Sequence, residues 1–254
     1  MHKQTLRRYF ESDIQQRKAL DAVTRRGWLV PSENLNLYDA SQRAFDPALS
    51  AEEASEEFHV IYETLAGRNW QVFRPRSSQD CWSSRKIFEK ITGEFSDFSW
   101  SSPVNLLALG ENEAGSRLQA PLANMRRIKP KKGYPHMTVS KFLHFYNPGL
   151  FPIYDSAVIW NKVFRRFRND FRDYCVRKEI PYNKAINDDT ENFLLHYMGW
   201  ASFLLSARHK NFMRVFVDWL DKQEGAALPK RRFDPNTLYA TAFEFTAIGA
   251  TEAP

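Results

Sequence analysis

Residues 123–163 read ANMRRIKPKKGYPHMTVSKFLHFYNPGLFPIYDSAVIWNKV. Pro130 and Pro135 bracket Gly133, so KPKKGYPH is read as a turn. The segment before it, 116–128, has helical spacing, and MTVSKFLHF after it forms a short helix that Asn147-Pro148-Gly149 stops. Asp155 then stands in an N-cap position. Trp160, Val163, Phe164, Phe167, Phe171 and Tyr174 recur on one stripe behind it, which predicts a long helix over 156–177. A helix, turn, helix, loop, helix order with scarce period-2 alternation decides for a mainly α fold.

The same spacing continues outward. Helices are expected over 6–26, 51–66 and 80–91, with loops at 31–46 and 73–78 and at most a short strand at 70–73. Ser102-Pro103 before VNLLAL reads as a cap with proline in the first turn, so another helix starts there. The apolar run 191–208 predicts a central helix, and 211–223 a last one burying Phe212, Val215, Phe216, Trp219 and Leu220. Residues 225–254 read as an irregular C-terminal tail behind a helical domain, 1–224, organised as two lobes, about 1–100 and 101–224, around a central cleft.

With 20 Phe and 7 Trp, the chain carries far more apolar bulk than a disordered one, so the interior is aromatic-heavy. No stretch approaches the roughly 18 apolar residues of a membrane span, and the polar start MHKQTLRRYFESD lacks the apolar run of a signal peptide, so the expectation is a cytoplasmic protein without a membrane partner. Cys81 and Cys175 lie far apart, with no Cys/His grouping; no metal, cofactor or disulfide is expected, and both are read as reduced thiols.

The net charge of +6 is unevenly spread. Between Ala114 and Tyr154 there is no Asp or Glu, while Arg117, Arg126, Arg127, Lys129, Lys131, Lys132 and Lys141 all fall inside. A basic segment without acidic relief releases counterions from a phosphate backbone, so DNA, duplex with a flipped base or single-stranded, is the expected partner.

On these residues the chain, over about 116–165, resembles the helix-hairpin-helix DNA glycosylases. In that superfamily a hairpin between two helices grips phosphates with backbone amides, a Lys at the start of the second helix is the nucleophile of bifunctional members, and an Asp follows at the next helix N-terminus. The resemblance implies Lys141 and Asp155 in those roles; read as a phosphate contact or a solvated helix residue instead, Lys141 leaves a water-using, monofunctional glycosylase. It also implies Arg126, Arg127, Lys129, Lys131, Lys132 and Gly133 as the DNA grip, and excision of a damaged or modified base, with Schiff-base lyase chemistry. His136, Met137, Thr138 and Val139 stand where the family has a Gly-x-Gly-like turn. The fourteen-residue separation of Lys141 and Asp155 is about one helical turn shorter than in the common members, and a whole turn leaves the facing direction nearly unchanged. An oxidised purine would match one branch of the superfamily; the divergent turn also leaves room for modified cytosine in phage DNA, in antiviral defence.

The chemistry has its own reasons. Breaking an N-glycosidic bond builds positive charge on the sugar, which a fixed carboxylate stabilises, and a lysine amine with a free lone pair attacks the sugar carbon. Tyr154 beside the acid is a candidate to line a base pocket; His144, one turn from Lys141, is read first as a structural histidine and second as a pocket residue, and Trp82, Trp100, Trp200 and Trp219 are read first as core and second as aromatic faces for a flipped base. Two bland alternatives stay open. In a non-catalytic DNA- or RNA-binding module Asp155 only caps a helix, and in a helical adaptor the basic segment meets an acidic protein.

Overall fold

The computed structural model describes residues 5–25, 31–67, 81–109, 128, 135–183, 190–224 and 234–253. The helix expected over 116–128, residues 129–134 of the basic turn after it, and the segments around 70–78 fall outside these residues, apart from Ile128, which is buried; Pro135 and His136, read as the end of the turn, open a helix instead. Among the described residues the regular structure is all helical. No described helix is long and apolar enough to cross a membrane.

The N-terminal helical pattern is interrupted at Ser12. α1 (Arg8–Glu11) ends there, and α2 (Asp13–Arg25) begins behind an extended Ser12 whose Oγ accepts from the Gln15 amide. α3 (Pro31–Ala44) occupies what the sequence reading takes for a loop. Pro31 is at the start of the helix, where its missing N–H costs nothing, and Leu37, Tyr38, Ala40, Ser41 and Ala44 form the buried stripe. α4 (Ala51–Ala66) falls where expected. Its capping box joins Ser50 and Glu53, and Ala54, Phe58, Ile61 and Leu65 make one buried face against α3. α5 (Ser84–Glu94) follows, capped by Ser83.

No helix forms after Pro103 within the described residues. Asn105 stands instead in an N-cap arrangement: its side chain takes the Leu107 and Ala108 amides at 2.9 and 3.0 Å and its carbonyl accepts from the Leu109 amide, so 106–109 form one helical turn at the edge of the described residues. α6 (Pro135–Tyr146) ends at Asn147, a buried hub. Its Nδ2 donates toward the carbonyls of Phe98, Ser99 and Val104, and its Oδ1 accepts from Gly149, so this one side chain joins the turn after α6 to the segment after α5.

The long helix expected over 156–177 is two elements. Asp155 caps a π-helix, Ser156–Phe164, in which the Trp160 amide reaches the Asp155 carbonyl five residues back, and α7 (Arg168–Arg177) restarts after a non-helical Phe167. Trp160 and Phe164 stack flat at 4.6 Å, with Phe193 edge-on to both. α8 (Thr190–Ser206) buries Tyr197 and Trp200, and α9 (Phe212–Glu224) buries the five residues expected of it.

The tail is where the sequence reading fails most. Residues Tyr239–Glu252 form α10, buried on nearly all sides and packed along α2, against the π-helix and against α8. A helix covered all round shows no amphipathic period, and YATAFEFTAIGATE has none. The close approach depends on Gly249, where a Cβ would overlap the Ala19 carbonyl oxygen of α2. Among the described residues all the buried apolar side chains but Val23 form one cluster running from Leu6 to Ala253.

Candidate active site

After α6 the chain turns at Asn147-Pro148-Gly149 and returns alongside that helix over 150–155. An extended return strand has backbone groups that a helix flank cannot pair, and side chains take them instead. The Ser140 hydroxyl accepts from the Tyr154 amide at 3.1 Å, and its one hydrogen is shared between the Met137 carbonyl at 3.0 Å and the Tyr154 carbonyl at 3.1 Å. His144 Nδ1 donates to the Phe151 carbonyl at 2.8 Å, and the Ile153 amide donates to Glu244 Oε1 of α10.

This clamp brings Asp155 beside Lys141. Asp155 Oδ1 accepts from the Ala157 and Val158 amides, each at 2.8 Å, and Oδ2 lies 3.2 Å from Lys141 Nζ. Both groups are largely covered, the side chains 11% and 24% exposed, so the pair is shielded yet reachable from solvent. The N-cap role is therefore real, and it uses one oxygen while the other faces the amine. Tyr154 packs its ring on Phe193 at 5.1 Å, and burial, with the Asp155 charge beside it, raises its hydroxyl pKa.

His144 is wholly buried in the core, in keeping with the structural reading and not with a place in a base pocket. The Phe151 carbonyl can only accept, so Nδ1 carries the hydrogen and Nε2 accepts from the Tyr38 hydroxyl at 2.9 Å; Tyr38 in turn lies 3.1 Å from Thr241 Oγ1. Burial pushes the imidazole down to about 4 from 6.5. Between these values the unfolded imidazole binds a proton that the folded one refuses, so this group removes up to about 3 kcal/mol of stability as pH falls through that window. Glu244 slopes the other way, because burial holds its carboxyl well above the usual range and its folded form keeps a proton that the unfolded chain loses. We therefore expect the signal in the imidazole itself: nitrogen NMR shifts should report the neutral Nδ1–H tautomer down to about pH 5. A protonated His144 at pH 6 would contradict this environment.

Arg126, Arg127, Lys129, Lys131, Lys132 and Gly133, the expected DNA grip, lie outside the described residues. Trp200 and Trp219 belong to the core, and Lys86 sits over the Trp82 ring. A groove of about 270 Å³ lies at the C-terminal end of α6, lined by Trp100, Asn105, Asn147, Pro148, Gly149 and Tyr239 among others; Lys141 and Asp155 do not line it. Among the described residues no group of three or more His, Cys, Asp or Glu could hold a metal ion. Cys81 and Cys175 are free thiols, and burial raises the Cys175 pKa to about 11.

Sequence reasoning missed Ser140, Tyr38, Thr241 and Glu244. Only Glu244 left a signal, as the one charged residue between Asp234 and Glu252 in an otherwise apolar and small-residue run. Comparison with protein-family models, curated proteins and solved structures finds no match to this chain.

Proposed function

We propose that the protein excises a base from DNA by cleaving the N-glycosidic bond, with Lys141 as nucleophile and Asp155 as the carboxylate that serves it. The observation that supports this reading above all is the 3.2 Å approach of Lys141 Nζ to Asp155 Oδ2 in a largely covered site. Oδ2 orients the amine and takes a proton from it as Nζ attacks the sugar C1′. The C1′–N bond to the base breaks, its electron pair leaves with the base, and the base takes up a proton. Loss of a second amine proton, with the C1′–O4′ pair moving to a protonated O4′, opens the ring to a C1′=N Schiff base. The acid-free basic segment 114–154, from which Lys141 comes, supplies attraction for the phosphates.

The target class is a damaged or modified base, an oxidised purine or a modified cytosine of phage DNA. A panel of such DNAs tests the reading: wild-type protein releases free base from at least one of them and not from unmodified DNA. The second reading, a nucleic-acid-binding module, is favoured by the two amides on Asp155 Oδ1, since capping alone accounts for them. Binding in a gel shift without base release anywhere in the panel would make that reading the better one.

A further inference from the structure

We infer that Glu244 is a positioning residue that sets Asp155 against Lys141 by holding the Ile153 amide. The inference rests on the proposed role of that pair, and the geometry behind it is independent of which bond the pair breaks. Three side chains from two helices hold the segment leading to Asp155: His144 takes Phe151, Glu244 takes Ile153, and Ser140 takes Tyr154. Ser140 and His144 both lie on α6, the helix that carries Lys141. Glu244 is the contribution of α10, so it fixes the return segment relative to a second body of the fold.

A glutamate is a costly way to satisfy one amide. The side chain is buried, and the Asp155 charge adds to the burial that raises its carboxyl pKa; Tyr38 of α3, His144 of α6 and Tyr197 of α8 also face it. The Tyr197 hydroxyl is buried with no hydrogen-bond partner among the described residues, so Glu244 stands in a polar pocket of the core directly behind the catalytic pair. An ordinary core position would hold an apolar residue here. What the carboxyl adds is an acceptor of fixed length aimed at Ile153, two residues before Asp155.

Three full-length variants separate positioning from general support. Glu244→Gln keeps an acceptor oxygen, Glu244→Met keeps the length without it, and Glu244→Asp withdraws it by one methylene. The first readout is acetylation of Lys141 by acetic anhydride, measured against Lys162 in the same chain. In Glu244→Met and Glu244→Asp it should run about threefold to fivefold faster than in wild type, the factor that an ion pair worth about 1 kcal/mol or less confers, and in Glu244→Gln it should match wild type. The second readout is base release, which falls by about a hundredfold in the Met and Asp variants and is kept in Gln, as expected for a misplacement on the order of 1 Å.

A folded Met or Asp variant with wild-type labelling of Lys141 overturns the inference, whatever its melting temperature. So does Glu244→Gln labelling at the rate of the Met variant. Wild-type protein whose Ile153 amide exchanges like an unprotected one overturns it without any variant. Absence of base release by wild type on every DNA strikes the proposed function, while the labelling readout still decides the role of Glu244.

Discussion

Asp155→Asn should release base at about a thousandth of the wild-type rate while unfolding at nearly the same denaturant concentration. The two halves of this expectation come from the two oxygens. Oδ1 accepts the Ala157 and Val158 amides, and an asparagine carbonyl caps almost as well, so the start of the π-helix survives. Oδ2 faces Lys141 Nζ at 3.2 Å, and there the substitution replaces a proton-accepting, charge-stabilising oxygen with an amide. The ion pair itself, partly exposed, contributes no more than about 1 kcal/mol to folding. A large loss of stability with little loss of rate would assign Asp155 to capping alone.

Gly249→Ala should lower stability by about 3 kcal/mol or more, which for a chain of this size lowers Tm by about 10 °C. The added Cβ meets the Ala19 carbonyl oxygen, which is backbone, and presses on Val23 Cγ2 at 2.9 Å. Neither helix can yield locally, because α10 lies along α2 and also packs on the π-helix. The effect should reach the site as well, since α10 carries Glu244. A urea midpoint in the variant within error of wild type would mean that the α2 and α10 backbones are not in close contact.

These two residues mark where the sequence was legible and where it was not. Asp155 stands before a run with clear period, so its N-cap role follows from local rules, and α4 with its Ser50–Glu53 box was readable for the same reason. The Lys141 to Asp155 approach was legible only as an expectation, because it depends on a return segment whose path is set by Ser140, His144 and Glu244. Gly249 and the rest of α10 were not legible. A helix of small residues buried all round has no polar face to give it a period, and α3 was hidden by a proline and polar residues that also suit loops. The π-helix has no cue either, since its apolar stripe serves an α-helix equally well until the aromatic packing around Phe193 is known.

The most direct measurement is borohydride trapping during base release, with the adduct mapped by peptide mass. Borohydride reduces a Schiff base to a stable amine, so the predicted result is a covalent DNA adduct on Lys141 in wild type and none in Lys141→Gln. Base release by wild type with no adduct, or with an adduct on another lysine, would contradict the assignment of Lys141 as the nucleophile that Asp155 serves.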